Sequence, residues 1–161
     1  MSTYSLHFME TQDQAAVSLM TMQQRDRIGT AYPLMAIQAM GGAPNRKVLV
    51  ARDLRERVIA FEILRFDEQM VTVVATGQHP ELFQPNADAS LAYQGEQLAL
   101  AGGQTVMRAY INKSDPAGQA MRELLGWVTV GFMPHGENED EFWIMEKPLV
   151  RDDAGNLTDE G

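Results

Sequence analysis

Apolar and polar positions change period several times along the chain. Residues 4–9, YSLHFM, alternate weakly and predict a short strand. Thr11-Gln12-Asp13-Gln14 has capping-box spacing, a hydroxyl at the N-cap and an amide three residues later, so a helix is expected to start here. In AAVSLMTMQQ, Ala16, Met20 and Gln23 share one face with Val17 and Leu19 nearby, which carries the helix to about Gln24. Residues 25–30 are mostly polar and contain Gly29. Pro33 can open a second short helix, PLMAIQAM, because the donor that proline lacks would be unsatisfied there anyway. Gly41-Gly42 is expected to stop it.

Three strand-like runs follow, at 47–51, 57–66 and 70–76. Their short charged connections, RDLRE and DEQ, predict an antiparallel meander. Residues 77–86, with Pro80 and Pro85, read as a loop, and 88–101 as a helix that stops at Gly102-Gly103. Residues 104–111 read as a strand. Asp115 can then cap a helix whose first residue is Pro116, with Met121, Leu124 and Leu125 as its apolar stripe and Gly126 as the left-handed residue past its end. Strands at 127–132 and 142–145 flank the acidic GENEDE loop at 136–141. This order predicts an α+β fold, an α/β/α sandwich in which helices cover both faces of a mixed, mostly antiparallel sheet of about six or seven strands.

Composition narrows the function classes. The 161 residues are 45% hydrophobic and 22% charged, as in an ordinary globular protein. One domain over 1–150 is expected, with a polar tail at 151–161. There are no cysteines, which excludes disulfides and thiol chemistry and suits a reducing compartment. The 22 acids against 13 bases give a charge of −9, which repels a phosphate backbone. The tightest basic group, Arg52, Arg55 and Arg57, is interrupted by Asp53 and Glu56, so nucleic acid is not an expected partner. No apolar run reaches membrane-span length and the N-terminus lacks the basic and apolar regions of a secretory signal, so a cytoplasmic protein with no membrane partner is expected. The three histidines are far apart with no ligand spacing, so no metal site is expected. Neither G-x-S-x-G nor G-x-x-x-x-G-K-[ST] occurs. Of the eleven methionines, Met20, Met22, Met35, Met40 and Met107 read as core filler.

The element order over residues 4–148 resembles the GNAT superfamily of acyl-CoA-dependent N-acetyltransferases. The best local match is DPAGQAMRELLGW at 115–127, which is similar to the family's late helix ending in glycine and an aromatic residue before the sixth strand. The family's Q/R-x-x-G-x-G/A segment, whose amides and helix terminus face the CoA pyrophosphate, corresponds here to Gln84-Pro85-Asn86-Ala87-Asp88-Ala89. Alanines replace the glycines, Pro85 removes a donor, and Asp88 adds a negative charge. One like-charge pair at ~6 Å and an effective dielectric of ~20 costs roughly 3 kcal/mol before screening.

The resemblance implies acetyl-CoA as cofactor and an amine, on a small molecule or a protein, as acceptor. Main-chain groups of Val74, Ala75 and Thr76 would pair with pantetheine, and Gln84, Ala87, Ala89 and Ser90 would face the pyrophosphate. Where the family often carries a tyrosine that protonates the departing thiolate, this chain has Arg122, which can stabilise a thiolate or bind phosphate but cannot act as an acid. Tyr110 is the substitute acid.

Glu62, among apolar neighbours in AFEILRF, is the first candidate base; the plainer alternative is an outward strand residue paired with Arg57 or Arg65. His79, beside the cofactor loop, is a second candidate base, or else a surface histidine of the loop. His135 has a similar alternative, and His7 reads as structural. The acidic run 137–141 could attract a cationic amine or serve only as a solvated hairpin tip.

Two other readings stand beside the transferase. One is a non-catalytic binding or structural subunit on the same fold, such as a phage virion or regulatory component that has lost CoA binding, with a protein partner or a homo-oligomer. The other is an unrelated α+β binding protein, which side-by-side pairing of the fourth and fifth strands near Thr76 and Met107 would favour.

Overall fold

Alternation in the middle of the chain builds the centre of a sheet. In the computed structural model, which describes residues 3–28, 31–84, 86–135 and 140–149, β2 (Arg46–Asp53), β3 (Val58–Phe66) and β4 (Met70–Gln78) form an antiparallel meander. The first turn is fixed locally. Asp53 Oδ1 accepts from the Arg55 and Arg57 amides at 2.9 and 3.0 Å, and Glu56 takes a left-handed φ of 63°. β1 (Tyr4–Phe8) pairs with β2. β5 (Val106–Asn112), β6 (Val128–His135) and β7 (Asp140–Pro148) complete a seven-stranded sheet of order β1-β2-β3-β4-β5-β7-β6. Every pairing is antiparallel except β4 with β5.

The sheet is covered on both faces. Val17 and Met20 of α1 (Gln14–Gln23) and Ile37 of α3 (Leu34–Gly42) pack with Val48, Val50, Phe61 and Ile63. On the other face Leu91, Ala99 and Leu100 of α4 (Ala87–Ala101) pack with Leu49, Leu64, Val71 and Met107. α2 (Arg25–Ile28) follows α1, and α5 (Pro116–Leu124) links β5 to β6. Burying each such side chain stabilises the fold by about 1.5–3 kcal/mol. The expected α/β/α sandwich is thus present. Gly29, Pro85, residues 136–139 and the 151–161 tail lie outside the described residues. No described helix is long and apolar enough to cross a membrane.

Several local expectations need correction. The capping box lies one residue earlier, with Glu10 as N-cap and Asp13 accepting from the Glu10 amide at 2.8 Å. Asp13 is drawn there by Arg52, whose Nε and Nη2 reach its two oxygens at 3.0 and 2.6 Å. α1 buries Ser18 and Thr21 beside Val17 and Met20, while Leu19 is exposed. The polar faces are stabilised by bonds from both hydroxyls to the Tyr32 carbonyl at 2.7 and 3.3 Å. Gly41-Gly42 are inside α3, not past it, and Pro33 is its N-cap. Met20 and Met107 are core residues, Met40 is half-buried, and Met22 and Met35 are exposed. On α5, Leu124 is 88% exposed whereas Arg122 is buried.

The feature that positions the site is a fork between β4 and β5. They pair only from Met70↔Val106 to Val73↔Ala109; beyond that β4 continues along β3, and β5 continues along β7. Ile63 pairs with Ala75 but Leu64 pairs with Val73, leaving Val74 as a bulge on β4. A bulge bends and twists its strand, which accounts for the divergence. Past the bulge, a Cβ on Gly77 would stand 2.3 Å from Phe61 Cε1, so only glycine lets β4 cross that ring. The strands are thus side by side at Met107, which pairs with Val71, and apart at Thr76.

Candidate active site

Three chain ends converge at the mouth of the fork. β4 ends in Gln78 and His79, α4 starts at Ala87 behind a left-handed Asn86 (φ 74°), and α5 starts at Pro116 behind Asp115. Asp115 caps α5 as expected, accepting from the Gly118 amide at 3.1 Å. Between these ends lies a cavity of about 350 Å³, lined in part by Thr76, Gln78, His79, Asp88, Asp115 and Arg122. It shares Thr76, Ile111 and Asp115 with a smaller cavity of about 30 Å³ inside the fork, lined also by Val74, Ala75 and Tyr110.

A polar strap crosses the mouth. The Gln24 side-chain amide donates to the Gln78 carbonyl, and the Gln78 side-chain amide donates to Asp88 Oδ2. α1, β4 and the first turn of α4 are thereby tied together, with the Asp88 carboxylate at the helix terminus, where the macrodipole favours it. His79 accepts at Nδ1 from the Glu81 and Leu82 amides at 3.1 and 3.0 Å. Those two donors place the proton of the neutral ring on Nε2. In that tautomer the ring offers Nε2–H as a donor.

Behind the cavity is a buried ionic network. Glu62 shares a face of β3 with Ala60 and Leu64, so it points toward α4, and the outward pairing with Arg57 or Arg65 is not formed. Its Oε2 accepts from Arg122 Nη2 at 3.2 Å, and both side chains are 1% exposed. Burial pushes the Glu62 carboxyl up to about 7; Arg122 opposes the rise, while Glu96 and Asp88 add to it. α4 passes so close that a Cβ on Gly95 would lie 2.3 Å from Glu62 Oε1. Arg122 also stacks on Trp127, its guanidinium carbon 4.6 Å from the ring centre. Trp127 Nε1 donates to Glu96 Oε1 at 2.9 Å, and Lys147 Nζ is 3.2 Å from the same oxygen.

The structure thus brings Thr76, His79 and Arg122 to the larger cavity and Val74, Ala75, Thr76 and Tyr110 to the smaller one. It places Glu62 behind Arg122, outside the lining of either. Gln84 is turned away, bonded to Thr3, and the Ser90 hydroxyl pairs with the Tyr4 hydroxyl at 2.7 Å. Ala87 is packed in the core and neither it nor Ala89 lines the cavity, so these positions can face a ligand only through their backbone. Gln24, Gln78 and Asp115 were not read as site residues. Asp115 carried a signal as a cap, but the glutamines meet only through long-range packing. Within the 52–57 cluster Arg52 is committed to Asp13 and Glu10, and Arg57 to Asp53. No group of metal-ligating side chains occurs among the described residues.

Among the described residues the sheet forks between its one parallel pair, with a helix N-terminus at the mouth of the cavity. Solved structures with the same architecture include the ribosomal-protein-S18-alanine N-acetyltransferase of Escherichia coli (TM-score 0.76, 13% identity, 96% of this chain and 99% of that one). The phosphinothricin acetyltransferase of Sinorhizobium meliloti, solved with AcCoA, superposes with TM-score 0.76 at 21% identity over 99% of this chain and 95% of that one. The spermidine N-acetyltransferase of Vibrio cholerae, solved with CoA and spermine, gives 0.76 at 10% identity over 91% and 95%. No family model and no curated protein matches the sequence. The chain has the fold of the GNAT superfamily of N-acetyltransferases.

Proposed function

We propose that the protein is a GNAT-type acyltransferase that uses an acyl-CoA, acetyl-CoA in the simplest case, to acylate an amine of a small molecule or a protein. The observation that carries this reading is the β4–β5 fork opening into a cavity of about 350 Å³ with the start of α4 at its mouth and the buried Arg122 in its wall. Acyl-CoA, when bound, supplies an activated acyl carbon as a thioester. The last β4–β5 pair is Val73↔Ala109, and from the Val74 bulge onward, through Ala75 and Thr76, the main chain of β4 would run beside the amides of a pantetheine arm. In the first turn of α4 the Ala87 and Ser90 amides donate to the Gln84 and Asn86 carbonyls at 3.2 and 2.9 Å, so the helix terminus would meet an anion through its dipole and the turn between those two bonds. His79, whose Nδ1 accepts from two amides, would offer its Nε2–H to a phosphate oxygen at the mouth. Tyr110 lines the smaller cavity and carries a phenol proton. The acceptor is an amine because the S18-alanine and spermidine enzymes of this architecture are N-acetyltransferases, and a chain of charge −9 draws cations toward itself.

A second reading, a binding or structural subunit without CoA, is favoured by one observation: Asp88, strapped by Gln78, places a carboxylate where a pyrophosphate would dock. A thermal-shift titration with acetyl-CoA separates the two. At a hundred times Kd a ligand stabilises by about 2.7 kcal/mol, or a Tm rise of roughly 5–10 °C for a chain this size. No shift and no calorimetric heat at millimolar acetyl-CoA leave the subunit reading.

A further inference from the structure

Arg122 is the most deeply buried cation that lines the cavity, and its bonding is incomplete. Nη2 reaches Glu62 Oε2 in one contact of 3.2 Å. Nε, Nη1 and Glu62 Oε1 have no partner among the described residues. A single contact of that length is weaker than the bidentate pairs of ~2.7–2.9 Å that guanidinium and carboxylate usually form. Lys147 is answered by Glu96, so Glu62 is the carboxylate that answers Arg122. Glu62 stands opposite Thr76 in the β3–β4 register, Thr76 belongs to both cavities, and Arg122 lines the larger one. The other charged or titratable groups around it are Asp88 and Glu96 from α4, Asp115 at the head of α5, and His79 after β4.

We propose that Arg122 is a thiolate site: its unpartnered N–H groups receive the sulfur of CoA as the anion, and Glu62 is the positioning residue that aims them. This deepens the acyl-CoA reading and rests on it. The thiol proton passes to water when CoA binds. A sulfur held this way departs without a proton donor, which accounts for an arginine at a position where an acid was expected. A free thiol ionises near pH ~8.5, and each unit by which a cation lowers that value is a tenfold preference for the anion.

The test compares CoA with desulfo-CoA, which keeps every phosphate and lacks the sulfur. Affinities are read by calorimetry at pH 7 in two buffers of different ionisation enthalpy, with thiolate ultraviolet absorbance as an independent signal. The wild type is expected to bind CoA at least tenfold more tightly than desulfo-CoA, with release of a proton. R122M is expected to lose that preference while still binding desulfo-CoA. E62A is expected to reduce the preference, and E62Q, which keeps an acceptor for Nη2, to restore it. If R122M fails to fold, R122K and the paired E62M/R122M replacement carry the comparison, their folding checked by circular dichroism. Equal binding of CoA and desulfo-CoA by the wild type overturns the thiolate site and assigns the contact to phosphate. A preference that survives in R122M overturns it too. Failure of both ligands to bind ends the acyl-CoA reading, and this inference with it.

Discussion

Removing the charge of Asp88 while keeping its shape is the sharpest perturbation of the cavity mouth. In D88N the side-chain carbonyl can still accept from Gln78, so the strap between β4 and α4 survives. Against a phosphate at ~6 Å, the native carboxylate costs roughly 3 kcal/mol at an effective dielectric of ~20. A Debye length of about 8 Å at physiological salt cuts that to roughly 1–2 kcal/mol. D88N is therefore expected to tighten CoA binding about 10-fold, and more at low salt. The same change weakens the empty protein. A carboxylate in the first helical turn is worth about 0.3–1 kcal/mol, and turning a charged hydrogen bond into a neutral one removes about as much again. The empty variant should melt roughly 2–6 °C lower, at about 2–4 °C per kcal/mol. Opposite signs for stability and affinity are the signature, read by thermal unfolding and calorimetry at two salt concentrations. A lower melting point with affinity unchanged within twofold at both salts would show that Asp88 does not face the ligand's phosphates.

Three further outcomes follow from the buried ions. Glu62 is raised from 4.5 to about 7, so the native state holds the proton more tightly, and stability present below pH ~4.5 is lost as pH rises through about 7. The loss approaches roughly 3 kcal/mol, and E62Q should flatten it in urea unfolding between pH 4.5 and 7.5. G95A, which would gain about 1 kcal/mol in an open helix, should instead cost about 1–3 kcal/mol, because its Cβ meets Glu62 Oε1 at 2.3 Å; in an E62A background the cost should vanish. D13A breaks the buried pair with Arg52, which the bonds to Asp13 and Glu10 hold firmly charged, and should cost about 3–5 kcal/mol with CoA affinity unchanged. Altered affinity in D13A would couple the N-terminal layer to the cavity.

What was legible in the sequence was whatever short-range physics decides. Alternation and polar connections gave the β2–β4 meander, and Asp115, Pro116 and Gly126 gave both ends of α5, where Gly126 takes a φ of 92°. The apolar stripe of α5 was misread at Leu124, which is exposed, and the burial of Arg122 was not legible because the partner that meets it lies 60 residues away. A local signal for Glu62 did exist. Its neighbours two away, Ala60 and Leu64, are as apolar as Phe61 and Ile63, so β3 has no solvent face for a carboxylate to occupy. The Gln24–Gln78–Asp88 strap had no such signal, since only the packing of α1 and α4 against the end of β4 brings those side chains together.

The two charges that flank the cavity argue in opposite directions, and their energetics do not weigh equally. Asp88 is stabilising where it stands, through the helix terminus and Gln78, so its presence is explained without any ligand. Arg122 is not. A buried guanidinium with two nitrogens unmet forgoes about 1–3 kcal/mol for each, and an apolar pair in place of Glu62 and Arg122 would often be neutral or more stable. A scaffold that needed only to be folded would gain from methionine or leucine at both positions. The cost is offset if an anion enters the cavity and completes the guanidinium, so the buried pair weighs on the side of a ligand-binding site, and Asp88 sets how tightly that ligand's phosphates are held rather than whether it binds.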